Sequence, residues 1–278
     1  MDVKTYTAYT EDSMLRLPLA HLALRFLRVP DSFLDRVERD FPDVTAELVD
    51  RLTTHLKAET SNDLPLVSAE IAAVQQSTCR HAERFPDLYT AHTDLVRSLL
   101  GVDDVTFLHG EHVELSQRRF VRTRYLPRYL MLVALSETVG RRHAMALMRQ
   151  VLDQAIAELP ARPDAPNTLE ELRTQQIEFN LAEQGMDWVQ GIVGPYQYLN
   201  RVTRCRIQHV LSAYDSELME VVACYPDFAM FRHTNPHFAL TRTMTLMNGG
   251  ACCDSCYHDD RHVESFGHPE KTVFDQLG

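Results

Sequence analysis

Apolar residues over about the first 160 positions recur three and four apart, the period of one helix face. The stretch Leu15 to Leu27 (LRLPLAHLALRFL) predicts a helix. A second follows in VPDSFLDRVERDF, with Asp31 or Ser32 as its N-cap. VTAELVDRLTTHL and LPLVSAEIAAVQQSTCRHAERF continue the helical pattern. Leu147, Met148, Val151, Leu152, Ala155 and Ile156 fall in pairs four apart, an apolar stripe on one face, and Gly140 marks a break before it. Methionines in such a stripe read as core filler. Glu158 to Thr168 holds three prolines and reads as a linker. Thr168 and Glu171 then form a capping box, and the helix it opens should close near Gln184 with Gly185 as its cap.

After Gly185 the pattern changes. DWVQGIVGPYQYLNRVTRC is aromatic and β-branched with Gly and Pro breaks, which reads as strand. RIQHVLSAYDSELMEVVACY returns to helix. FALTRTMTLM shows a period of two: Phe238, Leu240, Arg242, Met244 and Leu246, apolar apart from Arg242, against Ala239, Thr241, Thr243, Thr245 and Met247, mostly threonine. That period of two is the strongest strand signal in the chain. Asn248, Gly249 and Gly250 supply a tight turn, and ACCDSCYH should return antiparallel. The expected class is α+β: a mostly helical N-terminal half, then a small antiparallel sheet with helices. The expected division is a helical subdomain over 1–160 and an α+β subdomain over 168–278, packed as one compact unit.

Composition narrows the function. The chain has 278 residues, 45% of them hydrophobic, enough for a sizeable core. A net charge of -11 argues against a general nucleic-acid binder, which needs a basic surface. No apolar run approaches the roughly 20 residues of a membrane span, and the first residues lack a basic and then apolar leader. The expected location is cytoplasmic and the expected partner a small molecule, with a homo-oligomer left open. In a reducing compartment clustered cysteines serve more often as ligands or reactive thiols than as disulfides.

Three of the six cysteines fall within NGGACCDSCYH. On a regular strand Cys252, Asp254, Cys256 and His258 share one face, and Cys253, Ser255 and Tyr257 the other. Side chains two apart on a strand are about 6–7 Å apart, so one strand does not readily wrap four ligands around one ion. Cys253 and Cys256 suit a metal or redox pair only where the backbone turns. Cys253, Asp254, Cys256 and His258 stand as metal candidates; the cofactor is left open, with a divalent metal ion as the candidate. Cys79 reads as a buried small hydrophobe. Cys205 ends one strand, and Cys224 ends the next helix three residues before Asp227, so convergence of these segments on one pocket is expected. Arg242 lies on the apolar-looking face of its strand. An inward guanidinium pairs either with a protein carboxylate, Asp227 or Asp254, or with that of a substrate. His262 and His268 read as surface residues.

These elements together resemble the L-2-amino-thiazoline-4-carboxylic acid hydrolase family over about residues 125 to 260. The residues that carry the resemblance are Arg204 with Cys205, Cys224 with Asp227, Asn235, Arg242 with Thr243, Gly249 with Gly250, and Cys253 with Asp254; LSETVGRRHAMALM resembles the family's upstream helical segment. The resemblance implies a hydrolase that opens a C–N or C–S bond of a small heterocyclic or amino-acid-like substrate. It implies Cys253 or Cys205 as nucleophile or metal ligand, Asp227 and Asp254 as acid/base or ligand groups, and Cys224 completing the catalytic set. Arg242, Asn235 and Arg204 are then the substrate-binding set. Ser255 in place of an aromatic residue, and the additional Cys252 and Cys256, depart from the family pattern. The alternatives are a metal- or cofactor-dependent enzyme of specialised metabolism on this scaffold, and a cysteine-cluster metal or redox sensor.

Overall fold

A computed structural model describes residues 2–10, 12–60, 67–161, 163–194, 196–262 and 267–277. The elements in chain order are β1 (Asp2–Thr7), β2 (Met14–Pro18), α1 (Leu19–Leu27), α2 (Val29–Asp40), α3 (Thr45–Glu59), α4 (Ala69–Thr78), α5 (Pro86–Leu100), α6 (Asp104–His109), β3 (His112–Ser116), α7 (Gln117–Val139), α8 (Arg141–Ala157), α9 (Leu169–Glu183), β4 (Met186–Gly194), β5 (Gln197–Cys205), α10 (Arg206–Leu211), α11 (Ser216–Ala223), α12 (Pro226–Thr234), β6 (Phe238–Arg242), β7 (Cys253–Asp259) and α13 (Lys271–Asp275). The architecture is α+β. The chain forms two compact units, one of Met1–Glu11 with Leu152–Gly278, the other of Asp12–Val151.

The Asp12–Val151 unit is helical, with α3 packed on α5 and α7. Its core includes Phe33, Leu34, Leu48, Leu52, Leu88, Leu95, Phe107, Leu126 and Leu135, all buried. The helix expected over Leu15 to Leu27 starts only at Leu19. Residues 14–18 instead form β2, which pairs antiparallel with β3. Neither Asp31 nor Ser32 caps α2: Pro30 opens its first turn, where a missing N–H costs nothing, and Asp31 accepts from Arg80 N and Tyr89 Oη instead. Part of the expected helix over 64–85, residues 64–66, lies outside the described residues. Within the rest, α4 is capped by Ser68 and stops at Cys79. Gly140 ends α7 at φ 83°, as its position suggests.

The other unit is built on a five-stranded antiparallel sheet of order β1-β4-β5-β7-β6. The segment read as strand with Gly and Pro breaks is a hairpin, β4 and β5. The helix expected over 206–225 is two, α10 and α11, with α12 following. The capping box forms with one change: Thr168 Oγ1 accepts from Glu171 N, while Glu171 Oε2 takes the N–H of Asn167. Gln184, not Gly185, takes the left-handed position after α9, at φ 51°. The guanidinium of Arg206 donates to the carbonyls of Glu183, Gln184 and Thr10 around that corner, satisfying the last free carbonyls of α9.

Strand parity sorts the sheet into two faces. One carries Tyr198, Tyr257, Phe238 and Leu240, packed against Leu169 and Leu172 of α9 and Phe228 and Phe231 of α12. The other carries Val189, Leu199 and Cys256 beneath Phe274 and Leu277 at the C-terminal end. The alternation read in FALTRTMTLM is real, but the strand ends at Arg242. A ten-residue connection leads to β7, and the expected turn lies inside it, with Gly249 at φ 78° and its N–H donating to Leu246 O.

Candidate functional site

Arg242 is the last residue of β6 and extends over the face covered by α9 and α12. Its Nη2 donates to Asp227 Oδ2 at 2.8 Å, its Nε to Ser255 Oγ at 2.9 Å and its Nη1 to the Cys224 carbonyl at 3.4 Å. The Arg242 side chain is 9% exposed and that of Asp227 46%, so the ion pair reaches from the interior to solvent. Burial works against the Arg242 charge, but Asp227 and Tyr257 outweigh it and hold the guanidinium protonated. Of the open alternatives for this arginine, Asp227 is the protein partner.

Three thiols gather around this pair. Cys205 occupies the N-cap position of α10, Cys224 the C-cap of α11, and Cys253 the first position of β7. Each lies within electrostatic reach of Asp227 and Arg242 and of another thiol of the group. Burial dominates their chemistry and pushes all three upward. Cys253 rises from 9.0 to about 12 even though Leu246 N–H donates to its sulfur at 3.3 Å. Cys205 stays high although the N–H groups of Ile207 and Gln208 face it. These groups are thiols, not thiolates, at neutral pH. A thiol here serves as a proton donor, or as a nucleophile once a base takes its proton. Asp227 is the carboxylate at hand. A cleft of about 250 Å³ lined by Gln208, Ser212, Tyr214, Leu246 and Asn248 adjoins the cluster through Leu246 without including the thiols.

Asp254 lies on the opposite face. β7 runs without a bulge from Cys253, so the two neighbours point apart and take different environments. Asp254 Oδ1 accepts from the N–H groups of Thr243 (2.9 Å) and Met244 (2.7 Å), which turns the chain out of β6. Its Oδ2 accepts from Thr243 Oγ1 (2.5 Å) and His268 Nε2 (3.1 Å). A string continues from there: His268 Nδ1 to Thr241 Oγ1 at 3.0 Å, Thr241 Oγ1 to His258 Nε2 at 2.9 Å, and His258 Nδ1 to Gln197 Nε2 at 3.3 Å. The Gln197 amide N–H bounds the string at one end and the Asp254 carboxylate at the other, and between them each group can donate once and accept once. Burial lowers the His258 pKa, and His268 adds to the shift. His268 also stacks on Phe274, ring centroids 5.2 Å apart. It is no scattered surface residue; it ties the C-terminal segment to the sheet.

The remaining candidates sit elsewhere. Asn235 spends its amide on Pro166 O and on the N–H of His237, closing the corner between α12 and β6. Arg204 is exposed, 4.0 Å over the Tyr9 ring and 3.5 Å from Asp187. Neither reaches the thiols through these contacts. Among the described residues no group of three or more His, Cys, Asp and Glu is arranged to hold a metal ion. For Cys253, Asp254, Cys256 and His258 the reason is strand parity, which sets Cys253 against the other three. Cys256 is buried opposite Thr241 and raised to about 12 by that burial, with hydrogen bonds from Gln197 and Thr241 offsetting part of it. Cys252 is buried just before β7.

The sequence did not single out Gln190, Asn200 or Trp188. All three are buried on the thiol face, and Trp188 Nε1, both amide atoms of Gln190 and Asn200 Oδ1 have no partner. The available signal was two amides at the inward parity of strands otherwise apolar at those positions.

Comparison with known proteins adds one finding. A family model described as L-2-amino-thiazoline-4-carboxylic acid hydrolase matches residues 118–257. No curated protein and no solved structure matches. The matched stretch holds the thiols of the cluster, Asp227, Arg242 and Asp254, and stops one residue before His258.

Proposed function

The chain belongs to the L-2-amino-thiazoline-4-carboxylic acid hydrolase family, and from that premise we propose that it hydrolyses a C–N or C–S bond of a small heterocyclic, amino-acid-like carboxylate. The observation that carries this is the gathering of Cys205, Cys224 and Cys253 around the Arg242–Asp227 pair on one face of the sheet. Hydrolytic opening of an amidine-like ring needs three things: a nucleophile or activated water, a proton for the departing ring atom, and a cation for the carboxylate. Arg242 supplies the cation. Of its five N–H donors three are engaged, which leaves two for a ligand. Cys253 or Cys205 attacks the ring carbon as its proton passes to Asp227. Asp227 returns that proton to the departing ring nitrogen or sulfur, and water then releases the enzyme-bound carbon.

The test is direct. The purified protein is incubated with 2-amino-thiazoline-4-carboxylic acid and the ring-opened product is followed by mass spectrometry. Turnover is expected, and Cys205→Ala, Cys224→Ala and Cys253→Ala measured separately should include at least one loss on the order of 10²- to 10⁴-fold. Full activity in all three variants would remove the thiols from the mechanism.

A further inference from the structure

The cross-strand register places four polar side chains in one row. Gln190 of β4 lies opposite Asn200 of β5, Asn200 opposite Ser255 of β7, and Ser255 opposite Arg242 of β6. Residues directly opposite share a face with Cβ atoms about 4.5–5.5 Å apart, so the four side chains form one continuous polar strip. Two positions along each strand, on one side, stand Trp188 and Cys253; on the other stand Tyr198 and Tyr257, stacked with centroids 4.4 Å apart. The strip is buried: Gln190 is 1% exposed, Asn200 4% and Ser255 1%. At the Arg242 end its groups are paired. At the Gln190 end four atoms are not: Asn200 keeps a side-chain hydrogen bond to Tyr257, but the amide oxygen and nitrogen of Gln190, Asn200 Oδ1 and Trp188 Nε1 have no partner. A buried donor or acceptor without a partner is destabilising, and buried polar groups are overwhelmingly paired in folded proteins. Four such atoms lie in one patch, beside the thiols and in line with an arginine that retains two donors, and a ligand with matching groups would satisfy them.

We propose that Gln190 and Asn200 are substrate-binding residues that read an N–H-bearing amidine or amide group, while Arg242 in the same row holds the carboxylate of the same planar molecule. The chemistry follows from the donors and acceptors present. Gln190 Oε1 and Asn200 Oδ1 accept from ligand N–H groups; Gln190 Nε2 and Trp188 Nε1 donate to a ring nitrogen or sulfur. Cys253, two positions from Ser255, then borders the ring between the two recognised ends. This inference rests on the hydrolase reading of the thiol cluster and assigns the specificity of that same site.

Two ligands and two variants test it. Binding of 2-amino-thiazoline-4-carboxylic acid and of thiazoline-4-carboxylic acid, which lacks the amino group, is measured by calorimetry on the full chain. The amino compound should bind the wild type about ten- to a hundredfold more tightly, and Gln190→Met or Asn200→Leu should erase most of that difference. The free Gln190→Met protein should melt at the same or a higher temperature, because an apolar side chain of similar shape removes groups that nothing satisfies. Equal affinity of the wild type for both compounds, or no binding of either, overturns the proposal. A marked loss of stability in free Gln190→Met overturns it too, since it would show that the amide is satisfied inside the fold. Binding with discrimination but without ring opening removes the hydrolase reading alone; ring opening of both compounds at equal affinity removes the specificity assignment alone.

Discussion

The two faces of the sheet use the same residue types for opposite ends. On the face with Asp254, every polar group in the string from Gln197 through His258, Thr241 and His268 has a partner, and the carboxylate accepts four donors. Such a network rigidifies a fold, because breaking any member leaves the next one buried and unpaired. On the face with Arg242 the ion pair is open to solvent at Asp227, the thiols are uncharged, and beyond them the Gln190 amide and Asn200 Oδ1 are unpaired. That face carries a cost that a ligand can remove. The difference separates support from chemistry: Asp254, adjacent in sequence to Cys253, holds the corner from behind while Cys253 lies in front.

The largest expected effect falls on the supporting face. Asp254→Ala orphans the N–H groups of Thr243 and Met244 and the His268 imidazole, and should lower unfolding stability by about 3–5 kcal/mol in urea titrations. A change within experimental error would erase the distinction between the faces. Arg242→Met is next. It should raise KM for the carboxylate substrate about ten- to a hundredfold, with a smaller effect on stability because Asp227 is left half-exposed to water. Loss of stability without a KM effect would make Arg242 part of the support instead.

His268→Ala should cost about 1–2 kcal/mol and speed hydrogen exchange in α13, with turnover little changed, because it lies on the face away from the thiols. The smallest effect is in the pH dependence. His258 has a lowered folded pKa, so the unfolded chain binds a proton more readily. Its contribution is present above its ordinary 6.5 and is lost as pH falls below that value. Cys253 is raised from 9.0 to about 12, so its contribution is present below 9.0 and lost as pH rises toward 12. Thermal melts at pH 5, 7 and 10, run on wild type and on His258→Gln and Cys253→Ala, should assign part of the acid loss to the first variant, the buried His92 with its pKa lowered to about 4 carrying another part, and part of the alkaline loss to the second.

Much of this arrangement was written in local pattern. The alternation in FALTR, the capping box at Thr168, Gly140 at its turn and the apolar stripe around Leu147 follow from period and backbone preference alone. The opposite parity of Cys253 and Asp254 is also a property of any regular strand. Where local reading failed, a tertiary partner decided. Leu15 to Pro18 pair with β3 and so leave the helix their spacing suggests. Asp31 turns to Tyr89 and Arg80 instead of capping. Residues 2–7 lack a decisive pattern of their own and become β1 because β4 offers an edge.

The sequence by itself determined which chemistry is present: six cysteines, an inward arginine, and a family pattern spanning the cluster. Only the tertiary structure decided who faces whom. Antiparallel register brings Gln190, Asn200, Ser255 and Arg242 into one row from four strands, over a sequence distance of more than fifty residues. It sends His268 to Asp254 and away from solvent. Hydrogen-bond register acts between strands, and no periodicity along a single strand records it.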